Sequence, residues 1–219
     1  MTVVALVPVT GRTGQFGDIV AADFGITLLE PVLRNLLASG CIDLVGVVVP
    51  SSEVDAIGEA INEITEFAGK SIRVIGVEKS AFESVNSIVA SALPAITSAT
   101  SATSVVLVHT PRHAFAPPEL IRRVVEEIAA GAPSVVPVLP CTDTVKELDE
   151  SGVIINTPDR ATLRVIQSPI GFAADLWSEG RPAWDRLPPG TRTIQGHPAA
   201  RAIHTSFDLA FAKDSAEEA

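Results

Sequence analysis

The sequence predicts an α/β fold, a doubly wound and mostly parallel sheet of the nucleotidyltransferase, Rossmann-like type with a protruding β-hairpin arm. Three observations point there. Runs of β-branched residues alternate with amphipathic helical stretches through the first 140 residues, and that alternation requires right-handed crossovers packed on both faces of a sheet. Hydrophobic residues make up 47% of the chain but aromatics only 5%, with no tyrosine, so the apolar content is mostly the Ala, Val, Ile and Leu of covered parallel strands. At 219 residues the chain is long enough for one well-buried core, and it is read as a single domain spanning 1–219.

The elements follow in order. "TVVALVPV" is an unbroken apolar run, the mark of a strand buried on both faces. "TLLEPVLRNLLASG" places Leu28, Leu29, Val32, Leu33, Leu36 and Leu37 on one helical stripe that Gly40 ends. "DLVGVVVP" is a second strand. "SSEVDAIGEAINEITEFAGK" opens with serine caps, carries Ile57, Ile61, Ile64 and Phe67 on one face and closes at Gly69. "SIRVIGV" is a third strand, "SAFESVNSIVASALPAI" a third helix and "SVVLVH" a fourth strand. "PPELIRRVVEEIAAG" is a proline-initiated helix, and "SVVPVLP" is a fifth strand.

After residue 140 the rhythm changes. "TDTVKELDESGVIINTPDR" reads as two short strands around the turn "DESG", a hairpin with no helix to cover it. Such a hairpin needs a partner surface, and a second subunit is the simplest candidate. "QSPIGFAADLWSEG" leads to a short helix, "RTIQG" is one more short strand, and Thr205 with Asp208 can cap a final helix.

The formal net charge of −10 repels polyphosphate at long range, which argues against sequence-independent nucleic-acid binding while leaving room for a small nucleotide. Cys41 and Cys141 lie far apart in no metal-type spacing and read as reduced thiols of a cytoplasmic protein. The apolar N-terminus lacks a basic region and breaks at glycine, and no apolar run approaches transmembrane length, so neither a signal peptide nor a membrane role is expected.

Ligands of doubly wound folds sit beyond the C-terminal ends of the strands. Here those ends are the loops at 9–18, 76–84, 109–117 and 140–146. The first, "VTGRTGQFGDIV", carries Gly11, Gly14 and Gly17, with Arg12 as its one basic side chain. The spacing is G-x-x-G-x-x-G rather than the dinucleotide-binding G-x-G-x-x-G, and there is no lysine of the P-loop kind.

Several blocks then occur in register: "VLVH" before "AF" and "PPELIRRVVEE", "VPVLPCTDTVKELDESG", "NTPDRATLRVIQSPIGF", and "IQGHP" before "TSFDLAFA". Together they resemble the 2-C-methyl-D-erythritol 4-phosphate cytidylyltransferases of isoprenoid precursor synthesis. The resemblance implies a homodimer whose arm, 140–168 with its hairpin at 142–159, reaches into the partner's site. It also implies attack of the acceptor phosphate on the α-phosphorus of CTP, with Mg²⁺ accompanying the nucleotide.

By that resemblance Thr144 and Arg160 are the retained residues that hold the sugar-alcohol phosphate from the partner's arm, and Ser168 keeps a hydroxyl where threonine is usual. His109 is kept at the end of strand four, and a hydrogen-bonded structural role suits it. The family's His-Asp-Ala-Ala-Arg-Pro becomes "HTPRHA", so Thr110 replaces the acid and His113 the arginine, with Arg112 one position away. Gly76 and Ser84 survive from the second nucleotide segment, but its arginine is absent and Lys79 is a rough substitute. In the glycine loop Gly11, Arg12 and Gly14 remain, yet Gln15 stands near the arginine position and Asp23 where the family has lysine. The C-terminal lysine falls on Ala202, beside Arg201. Since phosphoryl transfer depends on cationic neutralisation, these losses lead us to expect a divergent member with weak or lost ordinary activity. The alternatives are an active cytidylyltransferase with relocated cations, among Arg12, Lys79, Arg112 and Arg201, or a transferase of another nucleotide or acceptor. No protein metal ligands are expected, and no cofactor if the chain is inactive.

Overall fold

A computed structural model describes residues 1–9, 28–99, 103–176 and 187–217. β1 (Thr2–Pro8), α1 (Leu29–Ala38), β2 (Leu44–Pro50), α2 (Val54–Glu63), β3 (Ile72–Val77), α3 (Val85–Thr97), β4 (Thr103–Val108), α4 (Pro118–Ala129) and β5 (Ser134–Pro140) alternate as the pattern requires. There follow β6 (Glu147–Leu148), β7 (Ile154–Asn156), β8 (Arg164–Ile166), β9 (Ile170–Ala173), β10 (Arg192–Gln195) and α5 (Ser206–Glu217). The main sheet runs in the order β10-β5-β9-β4-β1-β2-β3, with β8 joined to β5. β3, β2, β1 and β4 are parallel, β10 is parallel to β5, and β9 runs antiparallel between β4 and β5. A mostly parallel, doubly wound sheet is therefore what forms.

The unbroken apolar runs are explained by burial on both faces. Val3, Ala5 and Val7 of β1 pack with Leu33 of α1 and Ile121 of α4, whereas Val4 and Leu6 pack with Ile88 and Ala92 of α3 on the other side. Each such Val or Leu removed from water stabilises the fold by about 1.5–3 kcal/mol. The first helical stripe buries Leu28, Leu29, Val32, Leu33 and Leu36 as its spacing predicts.

Three local expectations change. Ser51 and Ser52 do not cap a helix: they lie in a 3₁₀ turn, Ser51–Glu53, and Glu53 precedes α2 without a side-chain cap. That helix ends at Glu63, because Ile64 turns extended and Phe67 reaches the core from a separate 3₁₀ turn, Thr65–Phe67. The third helix starts later than its pattern suggests, at Val85, where the Ser84 hydroxyl accepts from the Ser87 N–H.

The larger difference is "RVIQSPIGFAAD". Residues 164–173 supply β8 and β9 rather than a lead-in to a helix, and the helix expected after them falls on 177–186, outside the described residues. A four-residue strand with a glycine in it gives no periodicity that separates strand from helix. β8 pairs with Val138–Pro140 and β9 with Ser134–Val135, so the two run antiparallel along β5 with a break at 167–169. Pro169, which has no N–H to donate, sits in that break. The hairpin of β6 and β7 forms a separate two-stranded sheet. Its turn is closed by Asp149, whose Oδ1 accepts from the N–H groups of Ser151 and Val153 and from the Ser151 hydroxyl.

Candidate active site

The break in β8–β9 places a hydroxyl at the C-terminal end of β4. Val108 pairs with Ile170, so His109 and Thr110, just past β4, lie beside Ser168, just before β9. The Ser168 Oγ is 2.7 Å from His109 Nδ1, 3.2 Å from the Thr110 N–H that donates to it, and 3.4 Å from Thr110 Oγ1. His109 and Ser168 are fully buried. Burial, reinforced by the nearby His113, pushes the His109 imidazolium down to about 3, so the ring is neutral at ordinary pH. Its Nε2 is buried with no partner among the described residues. An unpaired acceptor is tolerated better than an unpaired N–H. The satisfied arrangement thus has His109 Nδ1–H donating to Ser168 Oγ, leaving the serine proton for Thr110. The structural role expected of His109 is what this geometry gives it.

The neighbouring break residue, Gln167, is also buried, and its amide grips the backbone of His197: Nε2 donates to His197 O at 2.8 Å and Oε1 accepts from His197 N–H at 2.8 Å. A Cβ on Gly196 would run into that Oε1, so any larger residue there would push the Gln167 carboxamide out of its clamp. This clamp brings the C-terminal segment over the β4 loop. His113 Nδ1 lies 2.8 Å from Ala200 O, and the Ile203 N–H donates to Arg112 O at 2.8 Å. Burial drives the His113 pKa down, and Arg112 and His204 add to the fall. The side chain of Arg112 then meets His204, its Nη2 donating to Nδ1.

The other expected residues divide. Gly76, at the end of β3, leaves room for the Ser51 turn, since a Cβ would lie 2.8 Å from Val54 Cγ2 and 3.1 Å from Ser51 Cα. Ser84 is the cap of α3, as above. Lys79 lies in the 3₁₀ turn Lys79–Glu83. Thr144 and Arg160 are exposed on the arm. Arg160 makes neither of the ion pairs its neighbours Asp159 and Glu150 offered among the described residues; its Nη1 donates to Thr142 O at 3.1 Å. Gly11, Arg12, Gly14, Gln15 and Asp23 lie outside the described residues. The structure thus brings His109, Thr110 and Ser168 together at the C-terminal end of β4, while Arg112, two residues on, turns to His204, and sequence reasoning missed Gln167 and His204. A glutamine inside "RVIQSPIGF" was the available signal for the first, since a polar amide in a buried run demands partners. His204 gave none.

Among the described residues no three His, Cys, Asp or Glu side chains converge on a metal-sized site, and Thr110 supplies no carboxylate at the end of β4. At the end of β4 these residues therefore offer Mg²⁺ no carboxylate.

The profile of the family described as 2-C-methyl-D-erythritol 4-phosphate cytidylyltransferase matches residues 4–186. The chain belongs to that family. Among curated relatives of that description, the protein of Saccharopolyspora erythraea is 37% identical across 97% of this chain and 98% of its own. That of Rhodococcus jostii is 37% identical across 99% and 96%. Among solved structures, a 4-diphosphocytidyl-2C-methyl-D-erythritol synthase from Anaerococcus prevotii superposes with a TM-score of 0.73 over 99% of this chain and 96% of that one. At 19% identity that likeness speaks for the shared cytidylyltransferase-family fold.

Proposed function

We propose that the chain transfers a cytidylyl group from CTP to 2-C-methyl-D-erythritol 4-phosphate in isoprenoid precursor synthesis. The observation that carries the reading is identity of 37% to curated cytidylyltransferases along essentially the whole of both chains. An acceptor phosphate oxygen forms a bond to the α-phosphorus of CTP while the bond from that phosphorus to the bridging oxygen breaks, releasing pyrophosphate. The reaction asks for positioning and cations rather than covalent help. His109, Thr110 and Ser168 supply a rigid floor, and Arg112 a charge beside it. The arm, 140–168, is read as the dimerisation element: its apolar Leu148, Val153, Ile154 and Ile155 are exposed in one chain, and Thr144 and Arg160 would serve the site of a second copy. Mg²⁺ enters with the triphosphate, whose oxygens are its ordinary ligands.

Pyrophosphate release from CTP, Mg²⁺ and the acceptor, with the CDP-linked product read by ³¹P NMR, is the direct test. Product is expected. No product, together with no CTP binding by calorimetry, would sink the reading. A second reading, in which ordinary activity is weak or lost, is favoured by one feature of the sequence: no lysine precedes Lys70, and Asp23 stands at the family's lysine position. Product at ordinary family rates removes it. A thermal-shift panel of nucleotides and sugar phosphates separates a changed nucleotide or acceptor from both.

A further inference from the structure

The bonds that tie the C-terminal segment to the β4 loop differ in what acid does to them. The Ile203 N–H donates to Arg112 O at 2.8 Å, and His113 Nδ1 lies 2.8 Å from Ala200 O. Both outlast protonation, because a backbone amide does not titrate and an imidazolium keeps the Nδ1–H that donates to a carbonyl. The side-chain bond from Arg112 Nη2 to His204 Nδ1 does not. A guanidinium only donates, so the ring must accept, and a ring nitrogen accepts only while it carries no proton. Once protonated, His204 would set a second cation against the first. The ring is exposed, so solvent protons reach it.

The charges around His204 all favour release over a retained contact. From the β4 loop, Arg112 repels a charged ring, and His113 is kept neutral by its burial. From α5, Asp208 attracts one. Its Oδ2, however, is held at the backbone, accepting from His204 N–H, Thr205 N–H and the Thr205 hydroxyl. An imidazolium can turn to Asp208 only by leaving Arg112. Arg201, on the same segment, lies over the Phe211 ring, 5.6 Å from its centre. Arg112 has no second side-chain hold on the segment: its Nε is buried without a partner among the described residues, and it joins none of their ion pairs. Ile203, Leu209 and Ala212 stay anchored in the core, so what loosens is the start of α5 and not the whole helix.

We infer that Arg112 and His204 form an acid-released latch: a neutral His204 holds the start of α5 against the β4 loop, and a protonated one frees it. The latch does not depend on the transferase reading, since neither side chain needs a ligand to make the contact.

Hydrogen–deuterium exchange of the amides of residues 203–212, followed from pH 8 to 5 and corrected for intrinsic exchange, tests it on wild type, His204→Asn and Arg112→Gln. The asparagine oxygen still accepts from Arg112 but takes no proton. The glutamine amide donates to a neutral ring and accepts from a charged one. Wild type should lose roughly 5- to 100-fold protection at these amides on acidification, the worth of one hydrogen bond to a charged group. That loss should exceed the loss at the amides of α2, which report any global weakening through His109 and His113. In both variants the excess should vanish. An acid step of equal size in wild type and His204→Asn would assign it to the buried histidines and overturn the latch. So would a wild-type step no larger than that of α2, or a step that persists in Arg112→Gln.

Discussion

Ser168 joins two groups that would otherwise be left without partners among the described residues. Its Oγ serves His109 Nδ1 and the Thr110 N–H together. Replacing it with alanine removes one oxygen and orphans a buried ring N–H and a backbone N–H. Ser168→Ala is therefore expected to cost about 1–3 kcal/mol in urea denaturation, well above the effect of an ordinary surface substitution. The two buried histidines set a pH dependence of their own. His109 titrates near 3 in the folded chain against an ordinary value of 6.5, and His113 is also lowered by burial. The unfolded chain then holds more protons below about 6.5, so their contribution is complete above that pH and is lost on acidification towards 3. Unfolding free energy should fall between pH 7 and 5, by at most about 1.4 kcal/mol per pH unit for each histidine. A flat profile across that window would contradict neutral, buried rings.

At the scale of elements, the arm and β9 show opposite legibility. The hairpin was readable from its turn: Asp149, Ser151 and Gly152 close it as their residue types require, and the uncovered apolar side chains follow from having no helix behind them. Leu148, Val153, Ile154 and Ile155 are each more than half exposed, a cost that the proposed pairing with a second copy would remove. Ile154→Glu combined with Ile155→Lys should convert a dimer into monomers in sedimentation velocity, with the far-ultraviolet spectrum preserved because both side chains lie outside the core. An unchanged sedimentation coefficient would place the dimer contact elsewhere or deny it. β9 was unreadable for a physical reason. It is short, contains Gly171, and is recruited between β4 and β5 by two neighbours far away in sequence, so no local signal announces it.

For the whole molecule, the net charge of −10 and the local charge of a side chain such as Arg112 act at different ranges. The overall charge disfavours nucleic acid at long range, but a phosphate within a few ångström responds to the guanidinium it touches. The losses counted in the sequence fall in the glycine loop, the second nucleotide segment, the β4 loop and the C-terminal segment. Counted by position, they do not say where a displaced cation points: Arg112, one position along the chain, is turned towards His204, 92 residues away.

By itself the sequence determined the alternation of strands and helices, the two-sided burial of the parallel strands, the hairpin arm and the family, because each is written in local periodicity or in blocks of adjacent residues. Only the tertiary structure decided the insertion of β9, the sharing of Ser168 between His109 and Thr110, the Gln167 clamp on His197 and the pairing of Arg112 with His204. Those depend on groups separated by tens of residues meeting at one end of a sheet, and no spacing along the chain encodes a hydrogen bond made across it.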